Sequence, residues 1–132
     1  MDSLSFRSST DAGEIYDPAK FARVQEALEK QGVSFVTGDE GRRMANALGG
    51  EALYMPAEPG MPGIMVFGPN PTRAQVIEEV LHFGQHKKAG FGSIGDQIVD
   101  LEIQAQDQLL KLGARKNWTN AELQQIERAK VQ

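Results

Sequence analysis

Four side chains with metal-binding and acid–base chemistry, two Glu and two His, occur together in the segment EEVLHFGQH, inside a strongly amphipathic helical pattern. Glu78 and His82 are four residues apart, so a helix projects both from the same face. Glu79 follows Glu78 and is placed to reach over that face. The spacing is that of the H-E-x-x-H zinc helix, in which positions one and five bind the metal and position two is the general base. Here the first position is Glu in place of His.

A catalytic zinc site needs three protein ligands and an open position for water. Glu78 and His82 supply two ligands, and Glu102 is the best candidate for the third. Glu102 lies in the next predicted helix, on the side of its apolar stripe, from which it can turn toward the first helix. Glu79 would deprotonate the attacking water and pass the proton to the leaving amine. We therefore expect Zn²⁺, although two carboxylates and one His also suit harder metals such as Mn or Fe.

Other polar side chains nearby are secondary candidates. Asp96 and Asp100 are candidate hydrogen-bond partners of the His82 imidazole. His86, one helical turn after His82, allows a different H-x-x-x-H pair, but no acidic residue lies between the two histidines to serve as the base. His86 is otherwise explained as a residue near the helix C-terminus that interacts with the helix dipole.

The same residues have simpler interpretations. Two Glu and one His on the polar face of a surface helix are usually solvated, and short motifs often occur by chance. A third hypothesis takes Glu79 and His82 as the E-x-x-H half of a carboxylate-bridged di-metal site in a helical bundle. Such a site needs a second E-x-x-H segment, which the chain lacks, so homodimerisation would have to supply it.

Helix caps, breakers and hydrophobic periodicity indicate the elements that must position these residues. The motif helix should begin after Gly68-Pro69-Asn70-Pro71, with Asn70 as its N-cap. Thr119 and Glu122 form a capping box that opens the last helix. The full predicted order is a helix from Asp17 to Gly32, a strand over Val33–Val36, a helix capped by Asp39, strands over Glu51–Met55 and Ile64–Phe67, and three helices. This order predicts an α+β fold in which several helices pack on a small antiparallel or mixed sheet.

The bulk composition narrows the classes of function. A chain of 132 residues suits one domain, and we assign residues 17–132 to it, with residues 1–16 as a leader or linker. The net charge is −4 and the basic residues form no large cluster, so nucleic acid is not an expected partner. The chain has no Cys, which leaves His and carboxylates to bind any metal. No apolar run approaches the length of a membrane span, and no signal peptide is expected at the N-terminus.

The second half of the chain resembles a known class of bacterial toxin. The segments RAQVIEEVLHFGQHKK, DLEIQAQDQLL and NWTNAELQQIERA look like the C-terminal domains of polymorphic toxins described as zincin-like metallopeptidases. Those domains carry an E-E-x-x-H helix and a Gln three residues later, matched here by Glu78, Glu79, His82 and Gln85. A helix with an E-x-E-A pattern follows. Its first Glu corresponds to Glu102, and its second is replaced here by Gln104.

The resemblance implies an antibacterial effector, a metal-dependent peptidase that acts on a protein or peptide of the target cell. It would be delivered as the C-terminal part of a larger secreted protein, and the producing cell would need a cognate immunity protein. The acidic balance of the chain predicts that this partner offers basic or aromatic groups to the motif helix or to the Pro56–Gly63 loop. The alternative is a non-proteolytic toxin or a protein-binding module in which the E-E-x-x-H face holds no metal.

One further expectation concerns substrate binding. In zincins an edge strand before the motif helix pairs with an extended peptide, and Ile64–Phe67 precedes the motif helix here. We therefore expect this strand to have an exposed or partner-covered edge to which a peptide can add. Four successive apolar residues also allow the opposite arrangement, a central buried strand.

Overall fold

The computed structural model describes residues 14–92 and 98–130 of the chain. Its elements are α1 (Pro18–Lys30), β1 (Ser34–Val36), α2 (Gly38–Ala47), β2 (Ala52–Met55), β3 (Ile64–Phe67), α3 (Arg73–Lys88), α4 (Ile98–Arg115) and α5 (Asn120–Lys130). The predicted α+β class and the predicted order of elements are both confirmed. Within the described ranges, none of the helices combines the length and the hydropathy that a membrane span requires.

The N-cap of α1 is the predicted residue, whereas that of α2 is not. The Asp17 side chain accepts a hydrogen bond from the Ala19 amide and caps α1, as predicted. The N-cap of α2 is Thr37 rather than Asp39, because the carbonyl of Thr37 already accepts the first helical hydrogen bond. Asp39 instead lies in the first turn, where its charge favours the positive end of the helix dipole.

The start of the motif helix α3 was predicted two residues too early. Its N-cap is Thr72, not Asn70. The Thr72 hydroxyl accepts from the Gln75 amide at 3.1 Å, and the Gln75 side chain accepts from the Thr72 amide at 3.1 Å. This capping box satisfies two terminal donors at once, whereas Asn70 followed by Pro71 offers only a single cap.

The sheet has the order β1-β3-β2, so β3 is its central strand. It pairs in parallel with β1 and antiparallel with β2. The prediction that Ile64–Phe67 is an edge strand is therefore wrong, and a substrate peptide cannot add to it. Its residues pack alternately on two cores: Met65 and Phe67 face α1 and α3, while Val66 faces α2. Because helices cover both faces of β3, all four of its residues can be apolar.

Helix α3 lies between the sheet and the two C-terminal helices. Val76 and Phe83 pack on the sheet with Tyr54 and Phe67. On another side, Ala74 joins a cluster in which Leu109, Trp118 and Ile126 bring α3, α4 and α5 together. Because neighbours cover α3 on more than one side, its polar face is also enclosed.

The last residues of the predicted leader pair with the beginning of α3. Ile15 forms an antiparallel bridge with Thr72, and the Tyr16 amide donates to the Pro71 carbonyl at 2.9 Å. The Glu14 carbonyl accepts from the Arg73 amide at 2.8 Å. Residues 1–13 of the predicted leader lie outside the described residues.

Arg73 joins this segment to α5 through a pair of carboxylates. Its guanidinium donates to both oxygens of the buried Glu122, at 2.9 and 2.7 Å, and to Glu14 at 2.8 Å. Glu122 also forms the predicted capping box with Thr119. Burial opposes ionisation of Glu122, but the hydrogen bonds from Arg73 and Thr119 outweigh it and lower its pKa to about 2.

We expect Glu122→Gln to lower the free energy of unfolding by about 1–2 kcal/mol at pH 7, since it removes a charge-assisted pair. Arg73 is one-fifth exposed, so solvent screening keeps the loss below that of a fully buried pair. A depressed pKa stabilises the fold above the ordinary value of 4.5, and this contribution is lost as the pH falls toward 2. The difference between variant and wild type in urea unfolding should shrink across that window. An equal difference at pH 7 and pH 2 would contradict this, and the exposed Glu127→Gln serves as the control.

Two glycines in helices give a second prediction. A Cβ at Gly41 would overlap the Phe67 carbonyl oxygen and lie 2.8 Å from the Val36 oxygen, because α2 packs closely on the sheet. Gly41→Ala should therefore destabilise the protein by about 1–3 kcal/mol. At Gly84 in α3 nothing lies within 4 Å of an added Cβ, so Gly84→Ala should stabilise it by about 0.5–1 kcal/mol. Thermal unfolding of both variants checks the opposite signs.

Candidate functional site

The polar face of α3 lies inside the protein. Glu78, Glu79 and His82 each have no solvent-exposed surface. One carboxylate oxygen of each Glu and one ring nitrogen of His82 all lie within 4.8 Å of one another. The interpretation of this face as the solvated side of a surface helix is therefore wrong. The i, i+4 and i, i+3 spacings bring the groups together, and the packing of α3 against the sheet and α4 encloses them.

Helix α4 adds the third predicted ligand. The Nε2 atom of His82 lies 2.7 Å from Oε1 of Glu102 and 3.7 Å from Oε2 of Glu78. Glu102 is 5 % exposed, and its carboxylate points toward His82. The structure thus places the carboxylates of Glu78 and Glu102 near the same ring nitrogen of His82. The predicted base Glu79 lies close to Glu78 and His82.

Gln85 fixes the orientation of the His82 ring. Its amide nitrogen donates to the Leu101 carbonyl at 2.9 Å, which leaves its amide oxygen facing the ring. That oxygen lies 3.0 Å from Nδ1 of His82, so Nδ1 carries a hydrogen and donates it. The other nitrogen, Nε2, is then the atom presented to the carboxylates. This is the arrangement that second-layer hydrogen bonds create around metal-binding histidines.

The charges of the cluster act strongly on one another. Burial alone would lower the pKa of His82, but hydrogen bonds to Glu102 and Glu78 and the charge of Glu79 raise it well above 6.5. Burial raises the pKa of Glu102, opposed by its contacts with His82 and Gln106. A positive group at the Nε2 side of His82 therefore stabilises the buried carboxylates, and a proton or a metal cation can provide it.

The donor set fits a divalent cation. With Glu78, Glu79 and Glu102 ionised, the cluster has two negative charges in excess even when His82 is protonated. Zinc–ligand bonds of about 2.0–2.2 Å place two ligand atoms of one ion about 3–3.5 Å apart. The 3.7 Å between Nε2 and Glu78 is close to that range, while the 2.7 Å to Glu102 would have to lengthen.

Of the secondary candidates, Gln85 contacts the site and Asp100 does not. Asp100 is exposed on α4, and Gln85 holds the Nδ1 atom of His82 that Asp100 was expected to bind. The proposed role of Asp100 is therefore not supported by its position. Asp96 lies outside the described residues. Gln85, known only from the resemblance, contacts His82 directly.

His86 belongs to a separate buried network. Its Nδ1 atom lies 2.6 Å from the Tyr54 hydroxyl, which also accepts from the Gly63 amide at 2.8 Å. The Tyr54 hydroxyl therefore joins the His86 ring and the Gly63 amide in one buried network. Burial lowers the pKa of His86, and its ring packs against Phe91 at 5.1 Å. These contacts are inconsistent with the H-x-x-x-H pair. His86 lies in the last turn of α3, as predicted, but its lowered pKa favours the neutral ring, which gains little from the helix dipole.

Sequence reasoning missed two residues near the site. Tyr54 is buried in an otherwise apolar strand, and a buried tyrosine normally has a partner for its hydroxyl. That rule pointed to a polar group on a neighbouring element, but the sequence did not indicate which one. Gln106 is the second missed residue, four positions after Glu102 and 1 % exposed. A spacing of four on one helix was the available signal.

Comparisons with known proteins place the chain in no family. No protein-family model matches it, and neither the curated proteins nor the solved structures contain a match.

The Tyr54 network gives a prediction about stability. Tyr54→Phe removes a hydroxyl that serves both His86 and the Gly63 amide, so two buried polar groups lose a partner. We expect the free energy of unfolding to fall by about 2–3 kcal/mol in urea denaturation. Tyr16→Phe, at a half-buried tyrosine, is the matched control and should change it by less than about 0.5 kcal/mol. Similar losses in both variants would show that the hydroxyl network contributes little.

Proposed function

We propose that this domain is a metal-dependent hydrolase, specifically a zincin-like peptidase that acts as an antibacterial effector. The observation that carries the proposal is the orientation of His82. Gln85 fixes its Nδ1–H, and its Nε2 faces Glu78 and Glu102. With Nδ1–H fixed by Gln85, loss of the Nε2 proton would leave that nitrogen free to bind a metal among the carboxylates, as a metal-binding histidine requires. The peptidase and effector assignments rest on the sequence resemblance.

Glu78, His82 and Glu102 would hold the ion. Zn²⁺ is the expected metal, and the excess of carboxylates also suits Mn²⁺ or Fe²⁺. When bound, the ion would polarise the substrate carbonyl and make a water molecule more acidic.

Glu79 is the residue we assign to proton transfer. It lies next to Glu78 and His82 in the same enclosed space. Its carboxylate would accept the proton of the attacking water and donate it to the leaving amine nitrogen. Gln85 would keep the His82 ring from rotating during these transfers, through its bond to the Leu101 carbonyl.

Complete burial sets a condition on this mechanism. Glu79 has no exposed surface, so a peptide reaches it only if part of the chain moves away. Two surface cavities, of about 350 and 150 Å³, lie elsewhere and neither is lined by the site residues of α3. Burial therefore favours a second candidate: a non-proteolytic toxin or protein-binding module in which the cluster serves only the fold.

The test is to measure metal content and toxicity separately. We expect protein purified without chelator to contain about one ion per chain. Glu79→Gln should retain the fold and the ion but lose at least about 100-fold in proteolysis, because it removes proton transfer and keeps the side-chain volume. Its expression in the bacterial cytoplasm should then be tolerated. His82→Ala should lose the ion as well.

The exposed Glu127→Gln is the matched control and should remain as toxic as the wild type. Full toxicity of Glu79→Gln would remove Glu79 from the mechanism. A wild-type protein that holds the ion but has no peptidase activity would favour the second candidate.

An effector also implies a protecting partner in the producing cell. Because Glu78 and Glu79 are buried, an immunity protein would have to cover the surroundings of the site rather than the carboxylates themselves. The Pro56–Gly63 loop is accessible, with Met61 54 % exposed. It is also connected to the C-terminal end of the motif helix by the hydrogen bond from the Gly60 amide to the Phe91 carbonyl.

A further inference from the structure

Gln106 is a buried amide with unsatisfied hydrogen-bonding groups. It is 1 % exposed, and neither its nitrogen nor its oxygen makes a hydrogen bond of standard geometry within the described residues. Burying an amide without such bonds costs stability, so native proteins seldom retain one without a reason. The position of Gln106 next to the acidic cluster suggests that reason.

Gln106 lies beside Glu102, one helical turn further along α4. Its side chain contacts the Glu102 carboxylate and favours the ionised form, although burial raises the pKa of Glu102 overall. The relation resembles that between Gln85 and His82 on α3, where an amide three residues later fixes the ring. On each helix a candidate ligand, His82 on α3 and Glu102 on α4, is thus followed three or four residues later by an amide.

Binding of a cation would change what Glu102 contacts. Its carboxylate oxygen now lies 2.7 Å from Nε2 of His82, which is shorter than the separation of two ligands on one ion. The carboxylate must therefore shift when an ion enters between the two groups. As it shifts, the amide N–H of Gln106, which already contacts Glu102 from one turn further along α4, can donate to the oxygen that does not face the ion.

We propose that Gln106 is a positioning residue for Glu102, which holds its carboxylate in the metal-binding orientation through an amide hydrogen bond. The inference rests on the proposed metal site and deepens it. Gln106 does not contact substrate in this proposal, and its effect on the ion is exerted through Glu102. An amide nitrogen that forms a well-aligned hydrogen bond to Glu102 only in the metal-bound protein makes metal binding more favourable, at the expense of the metal-free state.

The test compares Gln106→Met with wild type, using Zn²⁺ alone as the probe. Zn²⁺ affinity, measured by competition with a chromophoric chelator, should fall about 10- to 100-fold. The Tm of the metal-free protein should rise by about 3–5 °C, because an unsatisfied buried amide is replaced by an apolar side chain of similar length. Gln108→Met, at an exposed position of the same helix, is the control and should change neither quantity.

Measuring both Zn²⁺ affinity and the Tm of the metal-free protein distinguishes a positioning role of Gln106 from a role in packing alone. A packing residue would change the Tm and leave Zn²⁺ affinity as it was, and that result would overturn the inference. Gln106→Leu provides a second apolar replacement with a different shape. A fall in metal-free Tm in both variants would show that the amide is already satisfied, which also overturns it. If the wild type binds no Zn²⁺, the proposed function fails together with the inference. If it binds and the variants bind equally well, only the inference fails.

Discussion

The enclosure of three carboxylates around one imidazole is the interaction on which the rest of the structure depends. Isolated buried carboxylates are strongly unfavourable, and they become tolerable when a positive group lies among them. His82 provides that group, since Glu78, Glu79 and Glu102 together raise its pKa. Removing the imidazole would leave like charges facing each other in a space without solvent. The cluster therefore constrains how α3 and α4 pack, besides being a candidate site.

The two ends of α3 are held by separate means. At its start, the Thr72–Gln75 capping box and the ion pairs of Arg73 join the helix to the preceding segment and to α5. Toward its end, His86 is bonded to Tyr54 of the sheet. A helix fixed at both ends presents the residues between them with little freedom to rotate. Such rigidity is what a constellation of metal ligands needs, because small displacements of ligands cost affinity.

Local sequence patterns indicated which site residues lie close together, but not how β3 pairs or that the polar face of α3 is buried. The convergence of Glu78, His82 and Glu102 followed from spacing on one helix and from the apolar stripe of the next. The edge-strand prediction for Ile64–Phe67 failed because β3 pairs with β1 across the intervening helix α2, and such pairing is not visible in a short apolar run. The burial of the polar face was missed for a similar reason. Amphipathicity shows that a face is polar, but it does not show what packs over it.

The distribution of ligands and amides over two helices connects metal binding to folding. Glu78 and His82 come from α3, Glu102 comes from α4, and the chain between these helices is rich in glycine. An ion shared by both helices would join the two ends of that connection and restrict its conformational freedom relative to the metal-free chain. Gln85 already strengthens the same junction, since its amide joins His82 of α3 to the Leu101 carbonyl of α4. A ligand that binds only the folded state adds its binding free energy to stability. Metal-dependent stability alone would therefore not distinguish a catalytic ion from a structural one, and only the chemistry assigned to Glu79 separates the two.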